Sequence, residues 1–240
     1  MLTADRLLGA LVVLKAVDVV ARGPQALPAP LWATVLLVWT GAGLGLLSGR
    51  PGLSRIGWAA VALSGVGLAI DLPLELRRQH LVLLIGVALA AAVARDPAER
   101  LLLWRVQLLA LYGTAALAKL NESFLGGDVL GLAVTAGPLG RLGAPPTAVL
   151  VATGVGLIAA EAVLAAAMLL RRLRRPATAL AAVLHAGALL VAGASPLVAL
   201  RLVVFGGTAV VVYAACAGLL RVPVPAAPVR PSGPSRPAGR

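Results

Sequence analysis

The chain has 240 residues, 60% of them hydrophobic, 12% charged and only 3% aromatic, with a formal net charge of +12. Soluble domains carry about 45–50% apolar and about 25% charged residues, so a water-soluble fold is excluded. Low aromatic content and long Ala/Leu/Val/Gly runs exclude a β-barrel and point to helices, which satisfy their own backbone hydrogen bonds in lipid.

A membrane-spanning helix needs about 20 apolar residues. Eight segments approach this length: Asp5–Ala21, Leu31–Ser48, Ser54–Ile70, His80–Ala94, Leu101–Lys119, Pro146–Leu170, Pro176–Ala192 and Pro196–Leu219. Proline-containing turn signals separate them, among them Gly23-Pro24, Asp96-Pro97, Pro145-Pro146 and Ser195-Pro196. The fourth segment is short, so the count is seven to eight. Lys15 and Asp18 interrupt the first run, which favours a retained helix over a cleaved signal peptide. The expected fold is an all-α polytopic bundle over residues 1–220. The Pro/Arg-rich tail 221–240 is too polar to bury a core and is expected to be disordered.

Charge placement orients the bundle. With the N-terminus in the cytoplasm, 14 of the 21 Lys and Arg residues fall on the cytoplasmic side, five outside and two within spans. Arg171, Arg172, Arg174 and Arg175 are the firmest anchor. Both termini are therefore expected inside, and the loop Asn121–Pro145 outside. Arg-over-Lys usage with abundant Ala, Gly and Pro fits a GC-rich bacterial genome, hence a bacterial cytoplasmic membrane. The basic residues interleave with spans and no nucleic-acid motif occurs, so the expected partner is the bilayer rather than nucleic acid.

A charge at the bilayer centre costs about 2.5–3.5 kcal/mol on insertion scales, so each intramembrane ionisable group requires a reason. Lys15 and Asp18, three residues apart, share a helix face and can neutralise one another. Glu161 and His185 lie at similar depths on consecutive helices, and a hydrogen bond between them is expected. Lys119, one face with Tyr112 and Ala115, ends the fifth span. Taken alone it reads as an interfacial lysine reaching for headgroups. Arg201 lies near the outer end of the last span, placed to snorkel or to hold an anion. Cys216 reads as a small hydrophobe. Two histidines and one cysteine make no metal site, and neither a phosphate-binding Gly-rich loop nor Gly-x-Ser-x-Gly occurs. Nucleotide-driven pumps and serine hydrolases therefore lack support.

The stretch with Gln107, Tyr112, a small-residue helix, Lys119-Leu120-Asn121, Phe124 and Gly126 resembles the membrane core of vitamin K-dependent γ-carboxylase and the bacterial HTTM (horizontally transferred transmembrane) family. Gln79-His80-Leu81 resembles that family's Asn-His-aromatic-Leu segment. Glu161 followed by His185 repeats its acidic–histidine pattern. The resemblance covers roughly residues 70–210. It implies a pocket open to the non-cytoplasmic side, a reduced quinone as cofactor, and carboxylase-like or redox chemistry. Lys119 would be the base, with His185 and Glu161 beside it and Tyr112, Gln107, Asn121, His80 and Arg201 lining the pocket. As a base Lys119 needs a desolvated, neutral amine. Departures are plain: no large lumenal domain, Ala118-Lys119 in place of Lys-Lys, Asn121 in place of an acid, and Phe124 in place of Trp. The alternative is a non-catalytic membrane partner, a maturation or immunity factor for a secreted peptide or exported protein. A small transporter using Lys15, Asp18 and Glu161 is a third reading, without the repeat such folds carry.

Overall fold

The computed structural model describes residues 3–71, 79–193 and 195–223. Every named element among them is helical. The long helices are α1 (Ala4–Arg22), α2 (Ala29–Ser48), α3 (Pro51–Asp71), α4 (Gln79–Val93), α5 (Pro97–Ala118), α8 (Thr147–Ala167), α9 (Arg174–Ala192) and α10 (Pro196–Cys216). Each corresponds to one apolar segment of the sequence. Between α5 and α8 lie α6 (Glu122–Leu125), α7 (Asp128–Ala136) and a 3-10 turn, Pro138–Leu142. A second 3-10 turn, Arg171–Leu173, joins α8 to α9.

Among the described residues, six helices are long and apolar enough to cross a membrane: α2, Leu53–Asp71 of α3, α5, α8, Arg171–Ala192 and α10. The other two long helices fall short for different reasons. α1 carries Asp5, Arg6, Lys15, Asp18 and Arg22 within 19 residues. α4 has 15 residues, about 22 Å of rise against a hydrocarbon core of about 30 Å.

The distribution of polarity is that of a protein in lipid. Leu37, Leu63, Leu117, Val183 and Ile56 point outward, while Asp5, Lys15, Asp18, Arg100 and Glu161 are buried. Leucines facing out and ions facing in suit a hydrocarbon solvent, where apolar surface is free and charge must find a partner. The architecture is that of a multi-pass membrane protein.

The helices alternate in direction. At one end, Thr3 bridges Arg221, Arg6 reaches the Ser48 carbonyl, Arg55 donates to Ala94 O at 2.8 Å, and Cys216 lies against Leu101. Arg6, Arg55, Arg105, Arg171, Arg172, Arg174, Arg175 and Arg221 therefore gather at the same end. At the opposite end, one oxygen of Asp71 accepts the backbone N–H groups of Gln25, Ala26 and Leu27 at 3.0, 2.8 and 2.8 Å. That carboxylate replaces the water the α1–α2 connection would otherwise need. Of the tail expected to be disordered, 221–240, the Arg221 carbonyl accepts the Ala4 N–H at 3.0 Å, and residues 224–240 lie outside the described residues, as do Arg77 and Arg78.

Two boundaries differ from the sequence expectation. Asp96-Pro97 starts α5 rather than breaking the chain four residues before it. Asp96 accepts the Glu99 N–H at 2.9 Å, Glu99 accepts the Arg95 N–H at 2.7 Å, and proline occupies the first turn, where its missing donor is harmless. The segment expected as an outer loop, 121–145, is largely helical. α6 and α7 pack on α8, and α7 also meets α9.

Small residues let the helices approach. A Cβ on Gly9 of α1 would stand 2.8 Å from the Gly43 carbonyl oxygen of α2, and one on Gly43 would meet Val12 at 2.8 Å. Trp39 fastens the same pair by donating to the Val12 carbonyl at 2.8 Å. Gly41, on the same helix, has open space around it. Gly9→Leu is expected to destabilise the purified protein in detergent by about 1–3 kcal/mol, as overpacking does, and Gly41→Leu to leave it unchanged. Thermal unfolding of both variants checks this; equal shifts would mean that α1 and α2 tolerate separation.

Candidate functional site: an intramembrane ion pair and its neighbours

Lys119 follows the last residue of α5, where the chain turns. Asn121 caps α6 by accepting the Phe124 N–H at 3.0 Å and donates to Ala118 O at 2.8 Å, which closes the turn. Phe124 is thereby folded back, its ring centroid 5.7 Å from Lys119 Nζ. Gly127, at φ +89°, starts α7, and its missing side chain admits Leu150 of α8.

α8 packs mainly against α5, and less extensively on α9. This decides the partner of Glu161. Lys119 Nζ reaches Oε1 and Oε2 of Glu161, each at 2.7 Å, and the lysine side chain retains 26% exposure against 10% for the glutamate. Glu161 lies fourteen residues beyond Thr147, about 21 Å along α8, so the pair is far from the Thr147 end of that helix. The expected Glu161–His185 hydrogen bond is not formed. Sequential helices joined by a tight turn need not be the closest neighbours, and here α5 presents the better-matched charge. Nor does Lys119 reach outward to headgroups; it turns to the carboxylate instead.

His185 of α9 pairs with Tyr112, two turns before Lys119 on α5, with Oη and Nε2 2.6 Å apart. Gly206 of α10 makes this position, since a Cβ there would stand 2.6 Å from that of His185. Phe205 meets the imidazole edge-on at 5.2 Å, and Tyr213 packs on Tyr112 at 5.6 Å while donating to the Leu164 carbonyl at 2.9 Å. Glu161 lies within electrostatic reach of Tyr112. Lys119–Glu161 and Tyr112–His185, drawn from three helices, are thus two polar pairs about two turns apart along α5, each beside aromatic rings.

The remaining candidates lie elsewhere or act structurally. Gln107 donates to Leu83 O at 3.0 Å, in space that Gly86 leaves open, and ties α5 to α4. Asn121 is the cap described above. Arg201 donates to Asp18 Oδ1 at 2.7 Å and belongs to a separate cluster. There Asp18 also receives Lys15 and, at 2.5 Å, Arg22. The expected Lys15–Asp18 neutralisation is present, but it extends across to α10. His80 stands in the first turn of α4, and its side chain lies outside the described residues.

One buried pair had no forecast. Asp5 and Arg100 meet at 2.9 Å, with Ser54 donating to the second Asp5 oxygen at 2.7 Å. The signal was present in the sequence: an acid and a base each near the arginine-rich ends of apolar helices. Among the described residues, no three His, Cys, Asp or Glu side chains gather as a metal site would require.

Comparison with protein-family models, with curated proteins and with solved structures finds no match for this chain.

The ion pair is expected to hold α5 to α8. Lys119→Met and Glu161→Gln should each lower thermal stability in detergent. The double variant should lose less than the sum, with a coupling of about 1–2 kcal/mol. Strict additivity of the two losses would mean that the pair contributes nothing to helix packing.

Proposed function

We propose that this chain is an eight-span protein of the bacterial cytoplasmic membrane, both termini inside, and an HTTM-like protein whose Lys119 cluster handles protons for a bound quinol. The observation that carries the reading is the presence along α5 of two intramembrane pairs able to hold or pass a proton, Lys119–Glu161 and Tyr112–His185, each beside aromatic rings. The arginine-rich end would face the cytoplasm by the positive-inside rule. Lys119 would then approach from the outer side.

The residues suit a reduced quinone. Phe124 offers a flat apolar wall, Lys119 a donor that is still partly accessible, and Glu161 an acceptor. When bound, a quinol supplies the redox chemistry. The chain's part is to accept a hydroxyl proton. Glu161, already poised on Lys119, is the acceptor that geometry favours, and Lys119 holds the resulting negative charge of the ligand. This differs from a free lysine base, since the lysine here is already bonded to a carboxylate. Tyr112 and His185 form a second hydrogen-bonded pair, two turns back along α5.

A second reading, a non-catalytic partner for a secreted or exported peptide, draws on α7. This helix crosses from Leu150 on α8 to Val191 on α9 and leaves Val129 and Leu132 exposed. An apolar helix at the outer surface can cover a partner as readily as a lipid.

Quinol binding and oxygen consumption by detergent-purified protein separate the readings. Wild type should bind a short-chain quinol. Lys119→Arg, which keeps the ion pair and the positive charge, should retain the fold and most of the turnover, whereas Glu161→Gln, which removes the proton acceptor, should lower turnover by roughly a hundredfold in the protein that remains folded, the range of general acid–base contributions. A folded wild type that neither binds nor consumes oxygen would overturn the catalytic reading and leave the partner role.

A further inference from the structure

The arginine-rich end holds a second feature that the Lys119 cluster does not use. Where α8 ends, the 3-10 turn Arg171–Leu173 and the start of α9 swing beside α5 and the last turn of α10. Two hollows adjoin there. One, of about 180 Å³, is a groove between α5 and the end of α8, floored by Leu102, Val106 and Leu109 of α5 and walled by Met168 and Leu169. The other, of about 700 Å³, is ringed by Arg171, Arg172, Arg174 and Arg175 beside Ala217 and Gly218. Arg174 lines both, and Arg105 closes the first.

Among the described residues these arginines have no ion-paired acid. Among the described residues, the ion-paired acids are Asp5, Asp18 and Glu161, and their partners are Arg100, Lys15, Arg22, Arg201 and Lys119. Arg105 and Arg174 instead donate to backbone, at Leu101 O (3.0 Å) and Met168 O (3.2 Å). The Nε of Arg174 is buried and has no partner at all. Five guanidinium groups at one corner repel one another unless an anion sits among them. The groove that leaves this corner is apolar, and it runs along α5 toward the middle of the bundle. Leu102 and Val106 are exposed on its lipid-facing side.

We propose that this corner is a seat for one anionic phospholipid. Its phosphate lies among Arg105, Arg174 and the Arg171–Arg175 cluster, and an acyl chain lies in the α5–α8 groove. Guanidinium forks match phosphate oxygens, and basic pockets between helices on the cytoplasmic side bind anionic headgroups. A free phosphate would use the arginines but not the groove.

The test is thermal unfolding and lipid titration of the full chain in mixed micelles, with phosphatidylglycerol, phosphatidylcholine or soluble glycerophosphate added. Phosphatidylglycerol alone should raise the melting temperature. The double variant R105Q/R174Q should bind it roughly thirtyfold more weakly, the effect of two cations on an anionic lipid. Val106→Trp, which fills the groove from the lipid side and keeps every arginine, should weaken it as well. Stability in detergent alone reports whether each variant is folded; should R105Q/R174Q not fold, Val106→Trp alone decides. Equal stabilisation by phosphatidylcholine would overturn the proposal. So would a full effect from glycerophosphate, or phosphatidylglycerol binding untouched in a folded Val106→Trp.

Discussion

A charge inside hydrocarbon must be met by another charge or by backbone, and in this bundle that requirement selects which helices adjoin. Asp18 on α1 holds Arg201 on α10, across 183 residues of sequence. Asp5 on α1 holds Arg100 on α5, and Lys119 at the end of α5 holds Glu161 on α8. Between helices whose apolar faces are nearly interchangeable, van der Waals contact alone discriminates poorly. Each of these pairs has few alternatives, and leaving one unmade strands an ion. The first and last long helices are neighbours because their charges require it.

The small residues act with the charges rather than beside them. Gly206 lets α9 and α10 close until His185 can reach Tyr112, and Gly86 leaves the space that Gln107 occupies. A glycine has no side chain to contribute, yet it sets where a polar neighbour can stand. This explains why polar residues and glycines recur together along these spans. It also explains why Gln107 and Asn121, read as pocket residues from their positions in a motif, turn out to serve packing and capping.

The long helices were legible in the sequence because hydropathy reports burial in lipid one segment at a time. All eight appear, with ends displaced by a few residues where capping chemistry decided, as at Asp96-Pro97. The pairing of helices was less legible. Glu161 was matched to His185 on the assumption that consecutive helices pack most closely, whereas α8 packs mainly against α5. Nothing local encodes that preference; it emerges from charge matching over distance. The buried Asp5–Arg100 pair was missed for a related reason. Each residue alone resembles an ordinary interfacial charge, and only their meeting marks them. The candidate site stands between these cases. Glu161 with His185, and Lys119 with Tyr112 on one helix face, are the groupings the sequence suggests; the structure instead pairs Lys119 with Glu161 and Tyr112 with His185.

The short helices α6 and α7 follow from where Lys119 lies. α5 ends beside Glu161, where α8 still runs about 21 Å toward its Thr147 end, so the region past the end of α5 must be filled or left open to lipid. A polar loop there would carry unsatisfied backbone groups into an apolar zone. Apolar helical turns, capped by Asn121 and started by Gly127, satisfy that backbone internally and pack on α8. The same segment places Phe124 against Lys119. The ring beside the ion pair and the turns that fill the space past α5 are therefore one piece of chain, so the same caps that satisfy the backbone there also fix the surroundings of Lys119.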